Sequence, residues 1–345
     1  MMRITLMKVV DKIIIIGVLL ILLTLNKIAI AQDNLPHLFL FLGGDKAALY
    51  NANLNRPCIS GAQIIYSWKQ LEPKKNLYDF SKIKNDLRSL DKIDKKLFIQ
   101  LQDRSFDPNV FNVPDYIREE EIYHGGVAMQ YDSPGEGKPV VSGWVARVWD
   151  PAVRERFQLL IKKLATEFDG KIYGINLPET AVDFDQQDPP KDFTPDKYFY
   201  AELENISVLR EAFHKSTVVQ YVNFFPGEWN NDHFYMSRFF DYARTHHIGL
   251  GGPDVVPYKK AQMANSYPFF HQLKGNLLIS MAIQEPDYTY INPQTGKPYT
   301  FSDFYRFTQY YLGANILFWN VQEPFYSNQL CPKLTSEHFK CRELN

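Results

Sequence analysis

The sequence lacks the patterns by which several functional classes are usually recognised. It has only three cysteines, Cys58, Cys331 and Cys341, and none has the spacing of a metal-binding pair. Its eight histidines form no HExxH pattern. It also has no basic run, and so no electrostatic footprint for nucleic acid. We therefore expect no metal, no cofactor and no nucleic-acid partner.

The first 31 residues have the pattern of a secretory signal. Basic residues precede an apolar run at 13–25, which is shorter than the ~20 residues of a membrane span. Ala29 and Ala31 fit the small-x-small pattern of signal peptidase, so we expect cleavage after Ala31 and a secreted or periplasmic protein. An uncleaved N-terminal anchor is the alternative, and only then do we expect a membrane association.

The remaining residues, 32–345, are enough for one large domain. The whole chain has a net charge of −1, and residues 1–31 hold four basic and one acidic residue, which leaves −4 for the rest. In an oxidising compartment Cys331 and Cys341 could close a short loop that pins the C-terminal tail, leaving Cys58 alone.

Apolar, strand-like runs alternate with amphipathic, helix-like segments along 32–345. Two helices have clear start signals, Asp150 before Pro151 and Thr194 before Pro195. Eight runs have strand character, at 37–43, 61–68, 96–102, 171–177, 217–225, 248–252, 276–284 and 315–320.

Eight such units predict an α/β fold, a single-domain (β/α)8 TIM barrel. A doubly wound open sheet is the competing architecture, but "LGGDKAAL" after the first run lacks the G-x-G-x-x-G spacing. A long loop insertion follows strand three at 103–149 and contains Trp144 and Trp149. It is either a disordered surface loop or a packed flap at the catalytic face.

The C-terminal ends of barrel strands carry the chemistry of this fold, so we searched them for carboxylates. Cleaving a glycosidic bond needs two carboxyl groups with opposing roles, one protonated and one ionised. Strands four and seven lie across the barrel, so Glu179 and Glu285 can converge on one bond. The carboxylates at strand ends are Asp45, Asp103, Glu179, Asp183, Glu228, Asp254, Glu285 and Glu323.

A longer string supports the same interpretation. Residues 61–83, "GAQIIYSWKQLEPKKNLYDFSKI", resemble the second βα unit of the retaining (β/α)8 glycoside hydrolases of clan A. In those enzymes a strand ending in Trp is often followed by "xxxEPxxGxYDF", and here Trp68, Glu72 and Tyr78 stand in that register. The resemblance implies a secreted retaining hydrolase of an oligo- or polysaccharide, with Glu179 as acid/base and Glu285 as nucleophile. It also implies that Trp319 forms the floor of a sugar site.

Two features depart from the clan's pattern. The clan usually has Asn directly before the acid/base, whereas Asn176 lies three residues before Glu179. Gln-Glu-Pro also occurs twice, which makes Glu323 a rival to Glu285.

A sugar site also needs planar hydrogen-bonding groups and aromatic faces. We assign this role to Tyr66, Trp68, Gln102, Asn176, Tyr221, Asn223, Trp229 and Trp319. Two alternatives remain open. One is a non-catalytic carbohydrate-binding or surface-interaction protein on a glycosidase-like barrel, and the other is a hydrolase that uses Asp254 or Asp183.

Overall fold

We describe a computed structural model of the chain, which covers residues 35–132, 139–185, 187–284, 286–336 and 339–342. Eight parallel strands form a closed barrel in which each strand pairs with the next and the eighth pairs with the first. The predicted TIM barrel is therefore confirmed. The barrel strands are β1 (His37–Phe41), β2 (Ile59–Ser67), β3 (Lys96–Gln102), β4 (Gly174–Glu179), β5 (Thr217–Tyr221), β6 (Gly249–Gly252), β7 (Ile279–Ile283) and β8 (Ile316–Asn320).

Helices surround the barrel, and the two predicted start signals are confirmed. Asp150 accepts a hydrogen bond from Ala152 N at 2.8 Å, and Thr194 accepts one from Lys197 N at 3.2 Å. The helices are Asn51–Leu54, Trp68–Leu71, Ser81–Asp91, Asp115–Glu119, Pro151–Phe168, Pro195–Ala212, Tyr235–Thr245, Lys260–Ala264, Tyr267–Leu273, Phe301–Arg306 and Cys331–Leu334, with π-helical turns at Phe307–Leu312 and Tyr326–Leu330. No helix in these described ranges is long and apolar enough to cross a membrane. The predicted signal, 1–31, lies outside them.

Alternation along the strands divides the core into two parts. Phe39, Phe98 and Phe318 meet inside the barrel, with ring centroids 4.9 to 6.0 Å apart. The alternate strand residues pack outward against the helices. The barrel interior is therefore a packed aromatic plug, and a site has to lie above it, at the C-terminal ends of the strands.

The string that resembles clan A has a structural role here. Buried Glu72 accepts hydrogen bonds from Trp68 Nε1 at 3.0 Å and from Asn76 N at 3.0 Å, and it pairs with Arg156 of the helix Pro151–Phe168. The Trp68 ring lies 5.2 Å from that of Phe157 on the same helix. This cluster fastens the turn after β2 to the neighbouring helix.

We expect Glu72→Gln to lower the free energy of unfolding by about 3–5 kcal/mol, because it leaves Arg156 as a buried charge without its partner. Denaturant unfolding of the two proteins measures the difference. Glu167→Gln is the matched control, since Glu167 pairs with Lys84 on the surface and its loss should change the free energy of unfolding far less. Equal losses in both variants would contradict a stabilising role for the buried pair.

The segment between β3 and the next long helix is folded in its described part. It forms a small antiparallel sheet of Arg104–Ser105, Val127–Asp132 and Val140–Ala146. Tyr131 N donates to Asp183 O at 2.9 Å, which fastens this sheet to the loop after β4. The sheet therefore forms one wall at the mouth of the barrel.

The cysteine pairing differs from the expected one. Cys58 forms a disulfide with Cys341, and Cys331 is a free thiol. The expected loop between Cys331 and Cys341 is therefore wrong. Cys331 lies at the start of the helix Cys331–Leu334, while the segment after that helix brings Cys341 to the residue before β2. The bond ties the C-terminal tail to the barrel.

Candidate active site

Glu179 lies at the mouth of the barrel because β4 contains a bulge. The pairing of β4 with β5 is regular up to Leu177, which lies opposite Gln220, and then skips Pro178 so that Glu179 lies opposite Tyr221. Paired residues of neighbouring strands point to the same face, and the side chain of Tyr221 lies inside the barrel. The bulge therefore turns Glu179 inward.

The three-residue offset between Asn176 and Glu179 has its explanation in the same bulge. Asn176 also points inward, so in a regular strand a residue three positions later would point outward. Pro178 provides the extra residue, and its carbonyl accepts a hydrogen bond from the Gln220 side chain. Asn176 and Glu179 thus face the same side.

Glu179 is partly exposed and has a pKa raised to about 7. Burial of its carboxyl is the main cause, and the negative charge of Asp254 after β6 adds to it. The guanidinium of Arg104 and a hydrogen bond donated by Asn223 act in the opposite direction. The group is therefore largely protonated below neutral pH and can also release its proton.

Arg104 is a buried cation that sequence reasoning missed. It follows β3, pairs with Asp103 at 3.2 Å and donates to Ala181 O at 3.0 Å, two residues beyond Glu179. Its buried neighbour Glu202, on the helix Pro195–Ala212, has a pKa raised to about 7 by burial. The position of Arg104 just after β3 is the sequence feature that could have pointed to it.

Two further carboxyls, those of Asp254 and Asp287, lie near Glu179. Asp254 and Asp287 both have raised pKa values, chiefly through burial. Asp287 accepts hydrogen bonds from Val255 N and Gln284 N, each at 2.9 Å. It joins the loops that follow β6 and β7, and it fixes the backbone of the residue directly before Glu285. Glu285 itself lies outside the described residues.

Three of the residues assigned to sugar binding lie near Glu179, and a fourth, Gln102, ends the neighbouring strand β3. Asn223 donates a hydrogen bond to Glu179. Asn176 and Tyr221 are buried beneath the mouth, where each accepts a hydrogen bond from Gln63 Nε2, at 2.9 and 2.7 Å. Gln63 was not among the predicted residues, although its place in an apolar strand was a signal.

Three of the aromatic assignments fail because the side chains face the helices. Tyr66 donates to Asp86 on the helix Ser81–Asp91 at 2.8 Å, and Trp68 is held by Glu72. The ring of Trp319 stacks on that of Phe301 at 4.9 Å, in the outer core. These three residues do not line the mouth of the barrel.

Trp229 and the remaining carboxylates have distinct surroundings. Trp229 is 52% exposed and stacks parallel to Phe224, with centroids 6.2 Å apart and planes at 4°. Glu228 accepts from Tyr235 N and Met236 N at 2.6 and 2.9 Å, at the start of the helix Tyr235–Thr245. Glu323 accepts hydrogen bonds from Ser327 Oγ at 2.6 Å and from Ser327 N at 3.1 Å, in the loop after β8.

We compared the chain with known protein families, curated proteins and solved structures. No protein-family model and no curated protein matches this chain. Among solved structures, it is similar to a family 39 glycoside hydrolase from the gut symbiont Bacteroides cellulosilyticus WH2, with a TM-score of 0.50, 11% identity, and coverage of 84% of this chain and 57% of that one. This chain shares the barrel fold of that enzyme.

A second similar structure is the endo-1,4-beta-xylanase from Caldicellulosiruptor owensensis, with a TM-score of 0.48, 12% identity, and coverage of 90% of this chain and 91% of that one. At such identities the likeness concerns the fold alone. The (β/α)8 fold that the resemblance to clan A implies is confirmed, and this chain spans little more than half the length of the family 39 enzyme.

Proposed function

We propose that the chain is a retaining glycoside hydrolase in which Glu179 is the general acid and base and Glu285 is the nucleophile. The observation that carries the proposal is the inward-facing, bulge-positioned Glu179 with its pKa of about 7. A carboxyl that stays protonated near neutral pH can donate to a leaving oxygen. A second carboxylate must then attack the anomeric carbon.

The surroundings of Glu179 suit both halves of such a reaction. Burial and Asp254 favour the protonated carboxyl, which the first step consumes. After the proton has left, the amide of Asn223 and the charge of Arg104 stabilise the carboxylate. The carboxylate can then accept a proton from the water that hydrolyses the glycosyl-enzyme.

The assignment of Glu285 rests on its place in the chain. It comes two residues after β7, which is three strands from β4 around the barrel, and directly after Gln284. The Gln284 side chain donates to Pro253 O at 2.7 Å and its backbone donates to Asp287, so this loop is held to the loop after β6. A nucleophile needs such a fixed backbone, because its distance from the acid decides the stereochemistry.

A screen of aryl glycosides, followed by proton NMR of the first product formed, tests the proposal. We expect turnover of at least one glycoside and a product with the anomeric configuration of the substrate. Inversion would exclude Glu285 as a nucleophile. Binding of oligosaccharides without any turnover would instead favour the alternative, a non-catalytic carbohydrate-binding barrel.

The pH profile should depend on Asp254. The acid must be protonated in the free enzyme, so kcat/KM is expected to fall as pH rises through about 7. Asp254→Asn removes a negative charge that raises the pKa of Glu179, so this fall should move to lower pH. The measurement is kcat/KM against pH for the wild type and the variant.

Asp45→Asn is the control for that profile. Asp45 also follows a barrel strand, but its carboxylate is held by the Tyr50 hydroxyl at 2.7 Å and does not act on Glu179. Its profile should match that of the wild type. An unchanged profile in Asp254→Asn, or a shift to higher pH, would contradict the assigned electrostatics.

We also propose that the protein is exported, with residues 1–31 as a cleaved signal and 32–345 as one barrel domain. The Cys58–Cys341 disulfide supports this, because such bonds persist in oxidising compartments. N-terminal sequencing of the protein from its native host should begin at Gln32. A mature chain that still starts at Met1 would indicate the uncleaved anchor.

A further inference from the structure

A cleft of about 660 Å³ extends from Glu179 along the mouth of the barrel. One wall is the small antiparallel sheet, which contributes Gln130, Tyr131 and Asp132. The other wall is the segment 224–229, which follows β5. We call this space the Glu179 cleft. Its size suits a sugar unit, and it opens on the side of the barrel that bears the acid.

Aromatic side chains are exposed along this cleft. Phe106 is 60% exposed on the side of the small sheet, and Trp229 is 52% exposed on the opposite side. The Trp229 ring lies parallel to that of Phe224, and this stacking orients the other face of the indole. Flat, exposed rings offer apolar contact area at low conformational cost, which suits a sugar ring.

The charged residues in the described lining of the cleft are all acidic. Its acidic lining residues, besides Glu179, are Asp132, Asp183 and Glu228, and its described lining contains no Lys, Arg or His. The like charge of Asp132 adds to burial in raising the pKa of Asp183. The cation beside Glu179, Arg104, is buried and bound to Asp103, and it is not part of this lining.

We propose that the Glu179 cleft accepts uncharged sugar units and rejects units that carry a carboxylate, such as uronic acids. The inference rests on the proposed function, because it concerns the substrate of the same site. Three carboxylates beyond the acid would repel an anionic sugar, and no described lining cation would compensate. The substrate class is therefore a neutral glycan.

Binding of matched oligosaccharides tests this. For each of several hexasaccharide backbones, among them β-1,4-glucan, xylan and galactan, the neutral oligomer is compared with a form carrying carboxylates on the same backbone. Calorimetry, or the change in total tryptophan fluorescence, reports the dissociation constant, with Glu285→Gln used to suppress turnover. We expect at least one backbone to bind, and its anionic form to bind about tenfold or more weakly at low salt, with a smaller difference at 0.5 M NaCl.

Two double variants localise the effect. Asp132→Asn with Asp183→Asn should reduce the difference between neutral and anionic forms to about threefold or less. Asp91→Asn with Glu211→Gln is the control, because it makes the same change in net charge on exposed residues near the C-terminal ends of two helices, on the opposite face of the barrel. It should leave the difference intact.

The outcomes separate the two proposals. Equal or tighter binding of the anionic form overturns the inference, and so does an absence of binding to every oligomer. The inference is also overturned if both double variants reduce the difference between neutral and anionic oligomers equally. The preference for neutral oligomers would then follow the net charge of the protein and not the lining of the cleft. If the wild type turns over no glycoside but still prefers neutral oligomers, the proposed hydrolase fails and the inference stands.

Discussion

Glu179→Gln is expected to lower kcat/KM on alkyl glycosides or unmodified oligosaccharides by about 10²- to 10⁴-fold, the contribution usual for a general acid. A glutamine cannot donate a proton to the leaving oxygen, and such substrates have leaving groups that need one. A dinitrophenyl glycoside should lose far less in its first step, because its leaving group departs as a stable anion. The measurement is kcat/KM on both substrate types.

Glu228→Gln is the control for this variant, since both glutamates line the same cleft. The carboxylate of Glu228 is occupied by the backbone of the helix Tyr235–Thr245, so its loss should reduce stability by about 1 kcal/mol and leave the dependence on leaving group unchanged. Equal losses on both substrate types in Glu179→Gln would show that Glu179 is not the acid.

Glu285→Gln is expected to abolish turnover of all glycosides, by about 10⁴-fold or more, as the loss of a nucleophile does in other enzymes. No covalent intermediate can form without the carboxylate, so an activated leaving group should give no rescue. A 2-deoxy-2-fluoro glycoside should label the wild-type chain on the peptide that contains Glu285. Mass spectrometry of the digested protein measures both the label and its position.

Glu323→Gln is a closely matched control, because both glutamates lie in the same tripeptide, Gln-Glu-Pro. Glu323 accepts hydrogen bonds from Ser327 Oγ at 2.6 Å and Ser327 N at 3.1 Å, so its role is local. This variant should keep activity within about threefold. A label on the Glu323 peptide, or a larger loss in that variant, would exchange the roles of the two glutamates.

The barrel could be predicted from the sequence because each strand and each long helix has its own local signal. All eight predicted runs overlap a barrel strand, including the glycine-rich one at Gly249–Gly252, although the run at 171–177 ends two residues before Glu179. Asp150 with Pro151, and Thr194 with Pro195, determine where two helices begin. Such signals act over a few residues and do not depend on distant parts of the chain.

The direction of individual side chains was less predictable. Alternation shows that two neighbouring strand residues face opposite sides, but not which one faces inward. Tyr66 and Trp319 illustrate this, since both are buried and both point to the helices. Glu179 required the bulge at Pro178, and a proline inside a strand was its only local sign.

The cysteine pairing depended on contacts that no local pattern contains. Cys58 and Cys341 are 283 residues apart in sequence, and only the closed barrel brings them together. The buried network of Arg104, Asp103 and Glu202 is similar, since it joins the end of β3 to a helix almost 100 residues later. The spacing of residues along the sequence predicts neither the disulfide nor this network.

The same disulfide makes most of the chain a single covalent ring. A protease that cuts any one peptide bond between Cys58 and Cys341 leaves two fragments that remain linked through the sulfurs. A nicked molecule would run as full-length protein in a denaturing gel without reductant and separate into two bands only after reduction. A single proteolytic cut would thus leave the two parts of the barrel covalently attached to each other.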